Sequence, residues 1–496
     1  MYAATWGLSL ATSISMLLLV MTFQNADIAA GARVPVVKGL WRVELNATVK
    51  LALPIALTQL GQVAMMTSDL MLIGHLGDKA IAAAALGQTV LFVAFVLGMG
   101  LVSAVAPLAA QAYGAREPRM VRRSLRVGLW AALLLGIPAT VLQYFGQELL
   151  LALGQEEETA RLAGLYLLGL GWCLVPSWWF IALRGFMGAV NRPEPALWIT
   201  LVAIPANALL AYVLIYGSFG FPRLELLGAG VATTIVNLAM CVACVWITYR
   251  QRPFRKYRVL GRFWRLDWQL LRELVAVGAP ISGSFLLEYG LFAIAAIMMG
   301  WISTTALAAH QIALQTAAIM FMVPFGISMA ATVRVGHAVG RQDAKATRRA
   351  GFAAIGLGAV FMAAMVLVVV AFRHVIPLAF LGLETPETDA TLALAATLLA
   401  FGSTFFVMDG VQTVAAGALR GLNDTRVPLL FAAVSFWVIG FVTSYGLAFP
   451  AHMEAIGIWI GFTVGLGVYA ALLLWRFNAL TRRGYMPAAP GHAMSH

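Results

Sequence analysis

The sequence is poor in charge. Only 11% of its 496 residues are Asp, Glu, Lys or Arg and 61% are hydrophobic, whereas a soluble domain carries about 25% charged residues. Apolar stretches of about 20 residues, long enough to cross a bilayer as a helix, recur along nearly the whole chain. The alternation of apolar and polar residues that is typical of an outer-membrane barrel is absent. The composition argues against a soluble protein and predicts an all-α polytopic membrane protein.

Patterns for metal binding and catalysis are also scarce. The three cysteines, Cys173, Cys241 and Cys244, lie inside apolar segments, which argues against a disulfide framework or a zinc site and favours ordinary packing. The seven histidines are dispersed and no HExxH occurs, so a membrane-embedded enzyme is only a distant alternative. The net charge of +12 comes from short basic clusters between apolar runs, which argues against nucleic-acid binding. We expect no cofactor.

The apolar runs predict twelve transmembrane helices in two groups of six. They lie at 50–76, 80–108, 124–146, 161–184, 196–217, 227–249, 274–300, 305–333, 350–375, 391–418, 428–449 and 455–476. The corresponding divisions are an N-terminal segment (1–49), a first lobe (50–249), a basic linker (250–273), a second lobe (274–477) and a tail (478–496).

Basic residues indicate how the helices are oriented. All but four of the 33 Lys and Arg residues fall on one side of this map, and short cytoplasmic loops are rich in such residues. We therefore expect both termini in the cytoplasm of a bacterial inner membrane. Residues 2–23 are uncharged and apolar. They form either an extra helix or a dispensable stretch before a start site at Met21, and we favour the second alternative.

The two groups of helices are an internal repeat. A shift of 226 residues superimposes Pro54 on Pro280, Gly74 on Gly300, Gly100 on Gly326 and Arg122-Arg123 on Arg348-Arg349. Because each half has six spans, the halves are parallel and related by a pseudo-two-fold axis along the membrane normal. Transporters of this design bind substrate between the halves and alternate access by rocking.

Three acidic residues, Asp69, Glu288 and Asp409, lie inside predicted spans. A carboxylate there costs at least about 2.5 kcal/mol and commonly marks an ion pathway. We expect no Lys or Arg inside the spans to neutralise them. If a coupling ion and a cationic compound compete for these acids, the inward movement of one can drive the outward movement of the other. The alternative is a protonated carboxyl group that only bonds neighbouring helices.

Polar and adaptable side chains accompany the acids. Gln59, Gln62, Met66 and Asp69 follow helical spacing on one face. We predict a substrate cavity lined by Gln59, Gln62, Met66, Ser284, Tyr289, Gln311, Gln315 and Gln412. His310 could move protons or contact substrate, but we favour a structural histidine with satisfied hydrogen bonds.

From about Leu51 to Arg476 the sequence resembles the multidrug and toxic compound extrusion (MATE) family, specifically its NorM branch. The resemblance rests on LALPIALTQLGQVAMMTSDLMLIGHLG (51–77), PLAAQAYGA (107–115), FLLEYG (285–290), ALAAHQIALQ (306–315), VPFGISMAATVRVGHAVG (323–340) and ALRGLNDTRVP (418–428). It implies two six-helix lobes that form a V, and export of cationic amphipathic compounds in exchange for H⁺ or Na⁺. We expect a functional monomer whose partners are the lipid bilayer and small cationic drugs.

The resemblance also implies roles for individual residues. Asp69 and Asn207 match the cation site of the first lobe, and Glu288 and Asp409 match the paired acids of the second. A second asparagine of the first site is Ala211 here, and a tyrosine of the second is Phe405. Sodium needs several oxygen ligands, so these losses favour H⁺ over Na⁺ at either pair. The closest rival is a lipid-linked precursor flippase, whose anionic cargo would call for basic residues in the cavity.

Overall fold

The structure is a computed structural model that describes residues 38–220, 222–259, 261, 263–381 and 389–487. The segment interpreted above as an extra helix or a misassigned start lies outside the described residues. By length and composition, ten helices can cross a membrane, and two bent helix pairs raise the number to twelve.

We number the twelve spans α1 to α12. They are α1 (Lys38–Gly74), α2 (Asp78–Ser103 and Val105–Gly114), α3 (Pro118–Tyr144), α4 (Glu157–Leu170 and Leu174–Ala189), α5 (Glu194–Tyr216), α6 (Glu225–Arg250), α7 (Trp268–Ile302), α8 (Thr304–Gly340), α9 (Ala344–Ala371), α10 (Asp389–Phe401 and Ser403–Gly421), α11 (Arg426–Ala432, the π-helical Ala433–Gly440, and Phe441–Ala448) and α12 (Glu454–Arg482). Short helices at Gly146–Ala152 and Val375–Leu381 precede α4 and α10.

The all-α fold with twelve spans is confirmed, but the helix ends differ from the predicted ones. α1 begins at Lys38 rather than 50, and α8 runs to Gly340 rather than 333, because a helix continues past the apolar stretch that identifies it. The larger difference is a bend of 48° in α4 and of 49° in α10. Gly171 and Gly402 lie at these two breaks. The bends fall on the same span of each half, as a repeat requires.

Each half packs as a lobe. In the N lobe (α1–α6), α1 packs against α5, α5 against α6, and α6 against the first half of α4. In the C lobe (α7–α12), α8 packs against α9 and α10, and α12 packs against α10 and α11. The lobes touch through α1 against α8 and through α2 against α7 and α8.

The contacts between lobes lie towards one end of the bundle, where α1 begins and α2 and α8 end. We call it the basic end. There Arg334 donates to both carboxylate oxygens of Glu44, at 2.8 and 2.9 Å, and Gln111 donates to the carbonyl oxygen of Gly421 at 2.9 Å. Further along the same two inner helices, side chains are exposed, among them Met66, Leu70, Gln311 and Gln315. The lobes thus meet at the basic end and diverge from it as a V.

The linker between the lobes is attached to the N lobe. Phe254 and Tyr257 are buried and pack their rings 5.9 and 5.6 Å from that of Phe186. The indole N–H of Trp130 donates to the carbonyl oxygen of Phe263 at 2.8 Å. The linker is therefore packed against the N lobe and is not a flexible connection.

Asp267 joins the end of this linker to both lobes. Its carboxylate caps α7 by accepting from the Leu270 N–H at 3.2 Å, and it accepts from Arg123 of α3 at 2.8 Å. Burial raises the pKa of Asp267, but the bonds from Arg123 and Leu270 and the charges of Arg123 and Arg126 lower it more, so the net pKa lies below its usual value. The carboxylate therefore stays ionised at neutral pH and holds α7 against the N lobe.

Gly326 of α8 lies at one of several close contacts between the lobes. A Cβ added there would lie 2.7 Å from the Cβ of Ala56 and 2.8 Å from its Cα. We expect Gly326→Ala to lower the apparent melting temperature of the purified protein, since overpacking costs about 1–3 kcal/mol. Gly356→Ala is the control, because its Cβ would meet nothing within 4 Å. Equal melting temperatures for the two variants would contradict a tight interlobe contact at Gly326.

Candidate ion and substrate sites

Asp69 is buried in the N lobe and bound by neutral donors from two other helices. The amide of Asn207 on α5 donates to one carboxylate oxygen, and the hydroxyl of Thr233 on α6 donates to the other at 2.9 Å. The side-chain oxygen of Asn207 is itself buried and has no partner among the described residues. The arrangement is a buried anion with an unused oxygen beside it, which suits a small cation or a proton.

Glu288 and Asp409 lie together in the C lobe, although 121 positions separate them in the sequence. The amide of Gln412 donates to Glu288 Oε1 at 2.9 Å and to Asp409 Oδ1 at 3.1 Å, and it also lies 3.1 Å from Thr413 Oγ1. One neutral amide thus bridges two carboxyl groups. Because two ionised carboxylates repel each other at such range, a proton or another cation is favoured between them.

A cavity adjoins this pair on the C lobe's interior. Its lining includes Ser284, Glu288, Gln412, Arg420 and Tyr469. The guanidinium carbon of Arg420 lies 4.9 Å from the centre of the Phe285 ring. A cation therefore shares the cavity with Glu288, so the three charged groups Glu288, Asp409 and Arg420 together carry one negative charge when both acids are ionised.

The prediction that no Lys or Arg lies inside the spans was wrong. Arg420 lines the C-lobe cavity, and Arg184 on α4 has only 4% of its surface exposed. Arg184 donates to the side-chain oxygens of Gln59 and Gln62. Sequence position near a basic loop suggested that both arginines lie at the membrane surface. The bends in α4 and α10 were not predicted, and the second half of each bent span carries its arginine into the bundle.

The other predicted cavity residues are divided between sites. Gln59 and Gln62 contact Arg184, Ser284 and Gln412 belong to the C-lobe cavity, and Met66, Gln311 and Gln315 are exposed on the inner helices. Tyr289 is placed elsewhere, with its ring 4.8 Å from that of Phe92 on α2. His310 is buried, but neither ring nitrogen has a hydrogen-bond partner within the described ranges, so the expectation of a satisfied histidine was wrong.

At positions 211 and 405 the family resemblance implies an oxygen ligand, but this sequence has an apolar side chain, and both side chains lie in apolar surroundings. Ala211 is fully buried, and Phe405 packs against Phe292, Trp459 and Phe462. Thr233 partly compensates in the N lobe by bringing a hydroxyl to Asp69. Sequence reasoning missed Thr233, and no signal in its neighbourhood distinguishes it from the adjacent Thr234. Thr234 instead donates to the carbonyl oxygen of Gly169 at 2.8 Å.

Comparisons with known proteins agree with this architecture. The MatE family model matches residues 54–213 and again 280–446. The chain is 62% identical over 462 residues to a protein of Rhodopseudomonas palustris named "Probable multidrug resistance protein NorM", covering 93% of this chain and 97% of that protein. A protein of the same name from Bradyrhizobium diazoefficiens is 55% identical over 440 residues, covering 89% and 94%. The crystal structure of the eukaryotic MATE transporter AtDTX14 has the same fold, with a TM-score of 0.79 at 21% identity over 90% of this chain and 99% of that chain.

Two six-helix lobes, joined at one end and carrying buried carboxyl groups, define a multi-pass membrane transporter rather than an enzyme. With the two matches of its family model and the identity to its relatives, the chain belongs to the MatE family.

The bond between Asp69 and Thr233 can be tested with a double-mutant cycle. Thr233→Val should lower the apparent melting temperature in the wild-type background and lower it less in an Asp69→Asn background. A hydrogen bond to a charged group contributes about 1.5–3 kcal/mol, whereas the variant amide accepts only a neutral bond. Thr234→Val should cost the same in both backgrounds, since its partner is a carbonyl oxygen. Equal costs for Thr233→Val in the two backgrounds would show that the hydroxyl does not bind an ionised Asp69.

Proposed function

We propose that this protein is a secondary antiporter that exports cationic amphipathic compounds in exchange for H⁺ or Na⁺. The observation that carries the proposal is the placement of buried carboxyl groups in both lobes, with Asp69 held only by neutral donors. An anion in a low-dielectric bundle attracts one cation at a time. Competition between the coupling ion and the drug for these acids links the two fluxes. The names of the relatives, multidrug resistance proteins, are consistent with this cargo.

The proposed orientation places the basic end in the cytoplasm of the inner membrane, as the positive-inside rule predicts. Both termini are then cytoplasmic. With this orientation the lobes are closed towards the cytoplasm through Glu44 and Arg334 and diverge towards the outside. Such a state releases a drug outward and admits the coupling ion, and rocking of the lobes would expose the same acids to the cytoplasm. We expect a monomer to suffice, since each lobe contains its own acids.

We favour H⁺ as the coupling ion. In the C lobe, Gln412 occupies the space between the two carboxyl groups and Phe405 supplies no oxygen. Arg420 also contributes a positive charge to the same cavity. A proton needs only a carboxylate oxygen, whereas sodium needs several oxygen ligands. In the N lobe, the free oxygen of Asn207 and the hydroxyl of Thr233 are the best argument for sodium.

One observation favours a second candidate function. A flippase for anionic lipid-linked precursors requires a cation inside the bundle, and Arg184 is such a cation without a carboxylate partner in the described part of the chain. Asp69, Glu288 and Asp409 in the same bundle oppose anionic cargo, so we rank this function second.

Efflux of ethidium from proteoliposomes would test the proposal. With the membrane potential matched, we expect an imposed pH gradient to drive efflux and an imposed sodium gradient to drive little. Efflux driven by sodium alone would overturn the proton assignment and point to oxygen ligands around Asp69. No efflux with either gradient would contradict the antiporter and favour the flippase.

Neutral variants of the acids test the sites themselves. Asp69→Asn, Glu288→Gln and Asp409→Asn should each reduce ethidium efflux at least about tenfold, which corresponds to about 1.4 kcal/mol of lost cation stabilisation. Expression should change little, since each amide keeps the shape of its acid, and Asp69→Asn should melt somewhat lower because it weakens the bond from Thr233. Glu158→Gln is the control, because Glu158 is exposed and only pairs with exposed Lys79. Wild-type efflux in all three well-expressed variants would refute the assignment.

A further inference from the structure

Arg184 is a buried cation that the exchange mechanism does not use. Its Nη1 donates to Gln62 Oε1 at 3.4 Å and also to Gln59 Oε1. Its Nε–H is buried without a partner among the described residues. Its guanidinium carbon lies 6.0 Å from the centre of the Phe180 ring. Among the described residues its neighbours are these amides, this ring and the Cys244 thiol, and none of them is a carboxylate. A buried charge in such surroundings is expensive, which indicates that an anion completes the site at some stage.

The internal repeat shows that Arg184 lacks the acidic neighbour that the corresponding arginine of the C lobe has. Arg184 and Arg420 occupy the same motif, Ala-Leu-Arg-Gly, at 182–185 and 418–421. Both lie in the second half of a bent span. The 226-residue shift that superimposes α1 on α7 places Gln62 on Glu288. The equivalent positions are thus an arginine beside an acid in the C lobe and an arginine beside an amide in the N lobe.

The exchange of Glu for Gln, together with the absence of a counterpart of Asp409 from the N-lobe group, reverses the charge of the site. The C-lobe group of Glu288, Asp409 and Arg420 has a net charge of minus one when both acids are ionised. The N-lobe group of Arg184, Gln59 and Gln62 has a net charge of plus one. The two lobes therefore present interior sites of opposite sign, built on one arrangement of helices.

Asp69 lies on the same face of α1 as these glutamines. At 1.5 Å per residue, Asp69 lies about 10 Å along the helix from Gln62 and about 15 Å from Gln59, the two residues that Arg184 contacts. Met66, with 50% of its surface exposed, lies between them. Ala56, one turn before Gln59, contacts Gly326 of the C lobe, so this face begins where the lobes separate. A cation held by two glutamines of α1, an adaptable apolar side chain and an anion thus follow each other along this face of α1.

We propose that Arg184, Gln59 and Gln62 form a subsite for the carboxylate of a zwitterionic amphipathic compound whose ammonium group binds Asp69. The guanidinium donates to the carboxylate, and the glutamine oxygens orient the guanidinium while their amide N–H groups reach the same anion. Met66 contacts the apolar spacer. This subsite deepens the proposed export function and rests on it for its cargo. It selects compounds whose opposite charges are about 10–15 Å apart.

A matched pair of ligands tests the subsite by equilibrium binding to the detergent-purified protein. The first is 4′-(aminomethyl)biphenyl-4-carboxylic acid, whose rigid spacer separates the charges by a comparable distance, and the second is its methyl ester. Gln62→Glu gives Arg184 the carboxylate that the C lobe has. We expect this variant to raise the Kd of the acid at least about tenfold, which corresponds to about 1.4 kcal/mol, and to leave the Kd of the ester unchanged or lower.

Arg184→Gln and Arg184→Lys complete the test. The glutamine variant should also lose affinity for the acid alone, and the lysine variant should retain part of it, because an ammonium keeps the charge but not the fork of donors. An equal change for both ligands, or no change for either in Gln62→Glu, would overturn the subsite and leave Arg184 a structural cation.

The binding assay separates this inference from the proposed function. If the wild-type protein in proteoliposomes moves neither ethidium nor the ester under any gradient, the antiporter proposal fails, while acid-selective loss in Gln62→Glu still supports an anion subsite. If ethidium and the ester are transported but Gln62→Glu shows no acid-selective effect, the subsite fails and the antiporter stands.

Discussion

This structure depends on one constraint, which is that carboxylates must be kept inside a bundle that water reaches poorly. Asp69 remains in place because donors from α5 and α6 converge on it, and Glu288 and Asp409 remain together because Gln412 lies between them. These bonds also connect the helices of each lobe. They are neutral, so they stabilise the acids without removing their attraction for a cation. In the proposed mechanism, the stability of each lobe and the binding of the coupling ion thus depend on the same few contacts.

The two lobes share one arrangement of helices, but the residues in their interiors differ. Both lobes have a bent fourth span that brings an arginine inward, and both place it near the first span of its lobe. What differs is the pair of residues opposite, Gln59 and Gln62 in the N lobe and Phe285 and Glu288 in the C lobe. The exchange of a carboxyl group for an amide of nearly equal size changes the net charge of the site by one unit. Duplication followed by such exchanges lets lobes of one fold divide binding tasks between them.

The twelve spans were predictable because apolar length is a direct requirement of the bilayer. The three intramembrane acids were predictable because such residues are rare there. The bends at Gly171 and Gly402 were not, since many helices tolerate glycine without bending. Arg184 and Arg420 were misplaced because both lie a few residues from the end of a span, and only the fold shows that their side chains lie inside the bundle. Thr233 was missed for another reason: threonine is common in membrane helices, and only the fold shows which one faces Asp69. The cross-lobe pair of Glu44 and Arg334 joins residues 290 positions apart, and no local pattern encodes such a partnership.

The packed linker limits how far the lobes can travel. Trp130 anchors Phe263 to the N lobe, Arg123 binds Asp267, and α7 begins just after Asp267. Four peptide units join these points, and a fully extended chain covers about 14 Å over that length. The start of α7 can therefore move only a short distance from the N lobe. Larger displacements of the C lobe must occur at the far end of α7. In the proposed mechanism, rocking of the lobes is a rotation about a pivot near Asp267, with small displacements at the basic end and large ones at the opposite end.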